Sequence, residues 1–116
     1  MATIKSYTDI EQSKKLADVL PIESADMCWT KYIDNGEVTS LHATVNYGIV
    51  IIEYPCWSLV GLLSVLDFPS LTQNKEDEWE VCVFDHDNDD YIERTASNPI
   101  DACVDMILKL HELKLL

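Results

Sequence analysis

The sequence holds three glycines, four prolines and eight lysine or arginine residues in 116 positions, and each shortage closes off a class of function. So few glycines leave no glycine-rich loop of the kind that cradles a phosphate with backbone N–H groups. With 21 acidic residues against 8 basic ones the formal net charge is −13, so long-range forces repel phosphate backbones and anionic headgroups. Neither a nucleic acid nor a membrane surface is therefore an expected partner. No C-x-x-C pair occurs among Cys28, Cys56, Cys82 and Cys103, and no H-x-x-x-H or H-E-x-x-H spacing joins His42, His86 and His111, which argues against a zinc site or a redox dithiol. The longest mostly apolar stretch, near Leu59 to Leu66, falls far short of the roughly 20 residues that span a bilayer, and Met1 to Glu11 lacks an apolar run of signal-peptide length. A cytoplasmic protein with reduced, packed cysteines is expected.

What remains is the composition of an ordered globular chain: 47% apolar and 25% charged residues. Its length suits a single domain over 1–116, and a domain of this size buries roughly two-thirds of the surface its unfolded chain exposes.

Thr8-Asp9-Ile10-Glu11 reads as a capping box opening a first helix, with Thr8 as N-cap, an apolar stripe of Ile10, Leu16, Ala17, Val19 and Leu20 interrupted by Ser13, and an end before Pro21. From Asp26 the period becomes that of extended chain. Met27, Trp29 and Ile33 alternate with Cys28, Thr30 and Tyr32, Asp34-Asn35-Gly36 supplies hairpin turn residues, and Glu37 to about Val45 forms the return strand. Asn46-Tyr47-Gly48 breaks the pattern before the β-branched run Ile49 to Ile52. Leu59, Val60, Leu62, Leu63 and Leu66 cover most of a helix's circumference and predict a largely buried second helix, ended by Phe68-Pro69. Ser70 to Asp77 reads as a polar loop. Trp79 to Phe84 alternates as a strand, and Tyr91 to Thr95 reads as its antiparallel return. Asn98-Pro99-Ile100-Asp101 opens a last helix with an N-cap, a proline at the first position and an acid in the first turn; Ile100, Cys103, Val104, Ile107, Leu108 and His111 share its apolar face. The pattern describes an α+β domain, an antiparallel sheet with about three helices mainly on one face.

Three segments, T-D-I-E-Q-S-K-K-L-A-D-V-L-P-I-E-S-A-D-M, Y-P-C-W-S-L-V-G-L-L-S-V-L and N-P-I-D-A-C-V-D-M-I-L-K-L-H-E-L, resemble a family of small proteins of unknown activity encoded in prophages and mobile elements of gut anaerobes. The likeness covers residues 1–27, the second helix and the last helix, with the middle variable. It implies a bacterial cytosolic setting and brings no catalytic residues with it.

The sharpest chemistry lies in D-H-D-N-D-D, Asp85 to Asp90. A calcium loop of the EF-hand kind needs oxygens at positions 1, 3 and 5, a glycine at 6 and a glutamate at 12. Asp85, Asp87 and Asp89 meet the first three, but Asp90 stands at 6 and Ala96 at 12, and strands replace the helices. The favoured reading is a solvated hairpin turn, with a weak divalent-cation site at Asp85, Asp87 and Asp89 as an alternative. Residues 76–93 hold Glu76, Asp77, Glu78, Glu80, Asp85, Asp87, Asp89, Asp90 and Glu93 without one lysine or arginine. Such a ribbon suits a basic protein partner, and a second alternative is mimicry of a nucleic-acid backbone directed at a host nuclease, repressor or polymerase. Cys56, just ahead of a helix, is the one candidate nucleophile, but its apolar neighbours point to packing.

The expectation is thus a non-enzymatic binding or regulatory protein without a cofactor. Glu78, Glu80, Asp87 and Asp90 with the aromatics Tyr54 and Trp57 are its candidate contacts, and homodimerisation through a sheet edge or helix face stays open.

Overall fold

A computed structural model describes residues 5–34, 37–45 and 52–116. The expected hairpin turn at Asn35-Gly36 and the expected break and β-branched run across 46–51 lie outside the described residues. In chain order the elements are α1 (Ile10–Ala17), a short 3-10 turn (Ile22–Ser24), β1 (Met27–Asp34), β2 (Glu37–Val45), β3 (Ile52–Cys56), α2 (Leu59–Ser64), β4 (Ser70–Gln73), β5 (Trp79–Asp85), β6 (Asp90–Ala96) and α3 (Pro99–Glu112). The class is α+β with antiparallel pairing throughout. Among the described residues no helix is long and apolar enough to cross a membrane.

Among the described residues the strands divide into two three-stranded sheets, in the orders β2-β1-β3 and β4-β5-β6, where the sequence pattern suggests one. Two findings account for this. Residues 70–73, read from their polarity as loop, are a strand that pairs with β5 from Ser70 opposite Cys82 to Gln73 opposite Trp79. As an edge strand with mostly exposed side chains it has little apolar signal to betray it. Pro55 lies opposite Cys28 in the other sheet, and β3 tolerates it because it too is an edge.

The first helix begins one residue later than the sequence suggests. Asp9 is its N-cap, accepting from the Gln12 N–H at 2.8 Å while Gln12 Oε1 accepts from the Asp9 N–H at 3.1 Å. Thr8 is drawn elsewhere. It is fully buried, its Oγ1 lies 2.8 Å from Ser13 Oγ and accepts from the Trp57 N–H at 3.1 Å, and its own N–H donates to the Trp57 carbonyl at 2.9 Å. Ser13, the apparent gap in the apolar stripe, is therefore part of the core.

In the second sheet the inward positions of β5, Val81 and Val83, are buried beneath α3. Seven apolar residues of α3 besides Pro99 lie in the core: Ile100, Ala102, Cys103, Val104, Met106, Ile107 and Leu110. His111, placed by its spacing on the apolar face, is exposed instead, while its neighbour Leu110 is buried. The second helix is shorter and less buried than its composition suggests: Leu62 is fully buried, but Val60 is exposed. Leu16 of α1, Trp57 and Leu62 join α3 in one continuous cluster.

Asp26 fixes the start of α2. Its Oδ1 accepts from the Ser58 N–H at 2.8 Å, its Oδ2 binds the Ser58 hydroxyl, and Ser58 Oγ in turn accepts from the Gly61 N–H at 3.2 Å. A Cβ on Gly61 would lie 2.5 Å from Asp26 Oδ1 and 2.9 Å from its Cγ. Gly61→Ala should therefore expel Asp26 from the helix start and cost the cap, about 0.5–2 kcal/mol, although alanine is the better helix former. Urea unfolding of the variant should show the loss; a gain in stability would show that Asp26 moves freely.

A second polar node ties the chain's beginning to α3. Lys5 Nζ reaches Asp9 Oδ2 at 3.0 Å and Asp101 Oδ1 at 2.9 Å, and Gln12 Nε2 donates to the same Asp101 oxygen at 2.6 Å. Partial burial opposes the charge on all three ionisable groups but is outweighed. Hydrogen bonds donated to Asp101 and Asp9 and the charges of these carboxylates hold Lys5 above its ordinary value of 10.5, while the Gln12 N–H and Lys5 hold Asp9 below the usual carboxylate range, and Lys5, Gln12 and Asn98 do the same for Asp101. The carboxylates thus add stability that is present above their ordinary range and is lost as pH falls through their lowered folded values. Lys5 adds stability that is present below 10.5 and is lost as pH rises through its raised value. Because these side chains are a third to a half exposed, solvent screening limits the effect to about 1 kcal/mol. The urea midpoints of the protein and of Asp101→Asn should differ at pH 7 and converge as pH falls through the lowered folded value of Asp101.

Candidate functional site: the acidic hairpin and its groove

The β5–β6 hairpin closes where the sequence suggests, with Asp85 opposite Asp90 and a four-residue turn at 86–89. Its acids are not equivalent. Asp85 is only 7% exposed, and its carboxylate caps the turn from within: Oδ1 accepts from the N–H groups of Asp87 at 3.0 Å and Asn88 at 3.3 Å, and Oδ2 from Asn88 Nδ2 at 2.6 Å. The Asn88 side chain, against the opposing effect of burial, and the two backbone N–H groups hold Asp85 below its ordinary value. The carboxylate that seemed to start a calcium loop is thus engaged by its own turn. Asp87, Asp89 and Asp90 are exposed, and Asp89 has the left-handed φ of 52° that lets the chain reverse. Asp85, Asp87 and Asp89 do not converge: among the described residues no three His, Cys, Asp or Glu side chains are grouped so as to hold a metal ion.

Strand alternation puts Glu80, Cys82 and Phe84 of β5 and Tyr91, Glu93 and Thr95 of β6 on the face turned away from α3. Glu93 lies diagonally across from Glu80, and the hydrogen bond the two carboxyl groups can share when one holds a proton, together with the neighbouring charge, raises the Glu80 pKa. Phe84 packs edge-on against Tyr91, ring centres 5.1 Å apart, and against His86 at 4.9 Å. Glu78 is exposed at the other end of β5, in a turn where Asn74 Oδ1 accepts from the N–H groups of Glu76 and Glu78 at 3.0 Å. The acids of 76–93 therefore occupy both ends of the hairpin and its outer middle.

The aromatic contacts expected beside them are not there. Trp57 is fully buried, its indole N–H donating to Ser24 Oγ at 3.0 Å, so it is an anchor of the core and offers a partner nothing. Tyr54 is half-buried, with Lys14 Nζ 5.1 Å from its ring centre, and lies on the other sheet. The spacing that keeps them close in sequence says nothing of which way each faces. Cys56 is fully buried beside Thr8, and burial raises its thiol pKa despite hydrogen bonds from Thr8 and Ser13, the reverse of what a nucleophile needs. Burial alone pushes Cys103 up to about 11.

One cavity of about 270 Å³ opens beside the acidic turn, where the hairpin, the segment after α2 and the end of α3 meet. Val65, Val83, Leu110 and Leu115 make its apolar side; Asp67, Asp85 and Asp87 make its acidic side. His86 Nε2 stands 3.9 Å from Asp67 Oδ2 at the mouth. Next to Asp67, Phe68 is 93% exposed with a left-handed φ of 47°, an unfavourable backbone for a bulky side chain. Asp67 and the pair Leu110 and Leu115 have no sequence motif to mark them: they come from the segment after α2 and the end of α3 and become neighbours only in the fold.

No family model, curated protein or solved structure matches the chain.

Proposed function

We propose that this protein is a non-enzymatic binding or regulatory module of the phage or mobile-element kind, acting in the cytoplasm on a basic protein through its acidic hairpin. One observation carries the reading: among the described residues no salt bridge reaches the exposed acids of the hairpin. Among the described residues, ion pairs join Lys5 to Asp9 and Asp101 and Lys109 to Glu112, the His86 ring lies 3.9 Å from Asp67, and none of these contacts involves Glu78, Asp87, Asp89, Asp90 or Glu93. A surface of uncompensated charge raises the encounter rate with an oppositely charged partner and loses that advantage as salt is added.

Mimicry of a nucleic-acid backbone draws on the same charge, with Glu80 and Glu93 carrying it between the two acidic turns. The outer face also presents Phe84, Cys82 and Tyr91, however, and this mixture of aromatic and acidic groups suits a protein surface better than a groove shaped for phosphates.

Affinity capture from a lysate of the source organism, run with the protein and with Glu78→Gln/Glu80→Gln/Asp90→Asn, tests the reading. A basic protein should be retained by the unaltered chain at low salt, released as salt rises, and lost by the triple variant. Equal retention by both chains, or background proteins alone, would remove the basis of the proposal. Release of the captured protein by competing duplex DNA would favour mimicry.

A further inference from the structure

Resting on the binding reading above, we infer that the groove beside the acidic turn receives a single lysine or arginine side chain of the protein partner and so supplies the specificity that diffuse charge cannot. The size sets the first limit. A volume of about 270 Å³ lies below the roughly 300–1,000 Å³ of sites that hold drug-sized ligands or cofactors, but it has room for one long side chain.

The two-sided lining sets the second. Val65, Leu110 and Leu115 offer an apolar wall, while Asp67 and Asp87 stand at the opening with their carboxylates exposed to solvent. A purely apolar occupant would cover these carboxylates without pairing them, which is costly. An anion meets three aspartates in a chain of net charge −13. A divalent ion finds no convergent ligand set among the described residues. A cationic head on an aliphatic stem satisfies both sides, stem along the leucines and valine, head between Asp67 and Asp87. A free diamine fits less well, since its second charge would lie against the apolar wall.

Asp85 contributes from below. Its oxygens are held by the Asp87 and Asn88 N–H groups, so it fixes the turn that carries Asp87 and keeps a negative charge beneath the site. His86 stands 3.9 Å from Asp67, too far for a hydrogen bond, and leaves that carboxylate free to take a better donor.

The test is a two-dimensional amide NMR titration of the full chain with a capped glycine-arginine-glycine peptide. Its citrulline counterpart has nearly the same shape without the charge, and putrescine serves as the free diamine. Saturable shifts are expected at Asp67, Val83, His86, Asp87, Leu110 and Leu115. The citrulline peptide, and the exposed-site variant Asp67→Asn/Asp87→Asn with the arginine peptide, should each bind about ten-fold more weakly, a loss of roughly one charge-assisted pair. Shifts spread evenly over the acids of 76–93, equal binding of the citrulline peptide, tighter binding of putrescine, or no shift at all would each overturn the groove assignment. The two proposals fail separately: a captured partner lost by Glu78→Gln/Glu80→Gln/Asp90→Asn but held by Asp67→Asn/Asp87→Asn sinks the groove and leaves the binding module standing.

Discussion

Replacing Trp57 with alanine should remove about 3–5 kcal/mol of folding stability, against a total of about 5–15 kcal/mol for an ordinary domain. Trp57 is the largest side chain in the protein with no exposed surface, and it sits in the cluster joining Leu16 of α1, Leu62 of α2 and Ile107 of α3. Its loss leaves a cavity in this cluster and removes the indole N–H that donates to Ser24 Oγ, whose own hydroxyl still donates to the Pro21 carbonyl. Urea unfolding followed by circular dichroism should show the midpoint collapse or the cooperative transition disappear. Trp57→Phe, which keeps most of the ring volume and loses only the hydrogen bond and part of the packing, should lie between. A Trp57→Ala chain within about 1 kcal/mol of the original would contradict the burial of this side chain.

The second large effect is expected at a hydroxyl. Thr8→Val preserves shape but removes the acceptor for the Trp57 N–H and the partner of Ser13 Oγ, both in full burial. Each polar group left unpaired costs about 1–3 kcal/mol, so this isosteric change should rival the loss of a core methyl cluster. Thr8→Ser, which keeps the oxygen, should cost less than about 1 kcal/mol. Combining Thr8→Val with Ser13→Ala removes one of the two orphans, and the double variant should be less destabilised than the sum of the singles. Simple additivity would mean that Thr8 and Ser13 do not act as a pair.

These two residues also show how far the sequence could be read. Apolar spacing and end signals located the three α-helices of the described residues, because periodicity and capping are local and survive without knowledge of neighbours, though not the 3-10 turn or the end of α1 at Ala17. Asn98-Pro99 with Asp101 is the clearest instance: all three act within one turn, and Asn98 Oδ1 accepts from the Asp101 N–H at 2.9 Å. Thr8 was assigned to the wrong task for the complementary reason. Both Thr8 and Asp9 can cap a helix, and what decides between them is Trp57, which lies 49 positions away. The same blindness hid β4, whose polar residues form a strand only because β5 offers it an edge, and left Trp57 open between a partner contact and a core anchor until the fold buried it. The acidic run of 76–93 was plain, yet its division into a buried turn cap at Asp85 and exposed charges at Asp87, Asp89 and Asp90 was not.

The amino-acid order on its own settled the α+β class, the helix and hairpin positions and the excess of negative charge, since each follows from interactions within a few residues or from simple counting. The division into two sheets, the inward turn of Trp57 and Asp85, and the meeting of Asp67, Asp87, Leu110 and Leu115 around one groove belong to the tertiary structure. They depend on which distant surfaces exclude water together, and that is a property of the packed chain rather than of any segment of it.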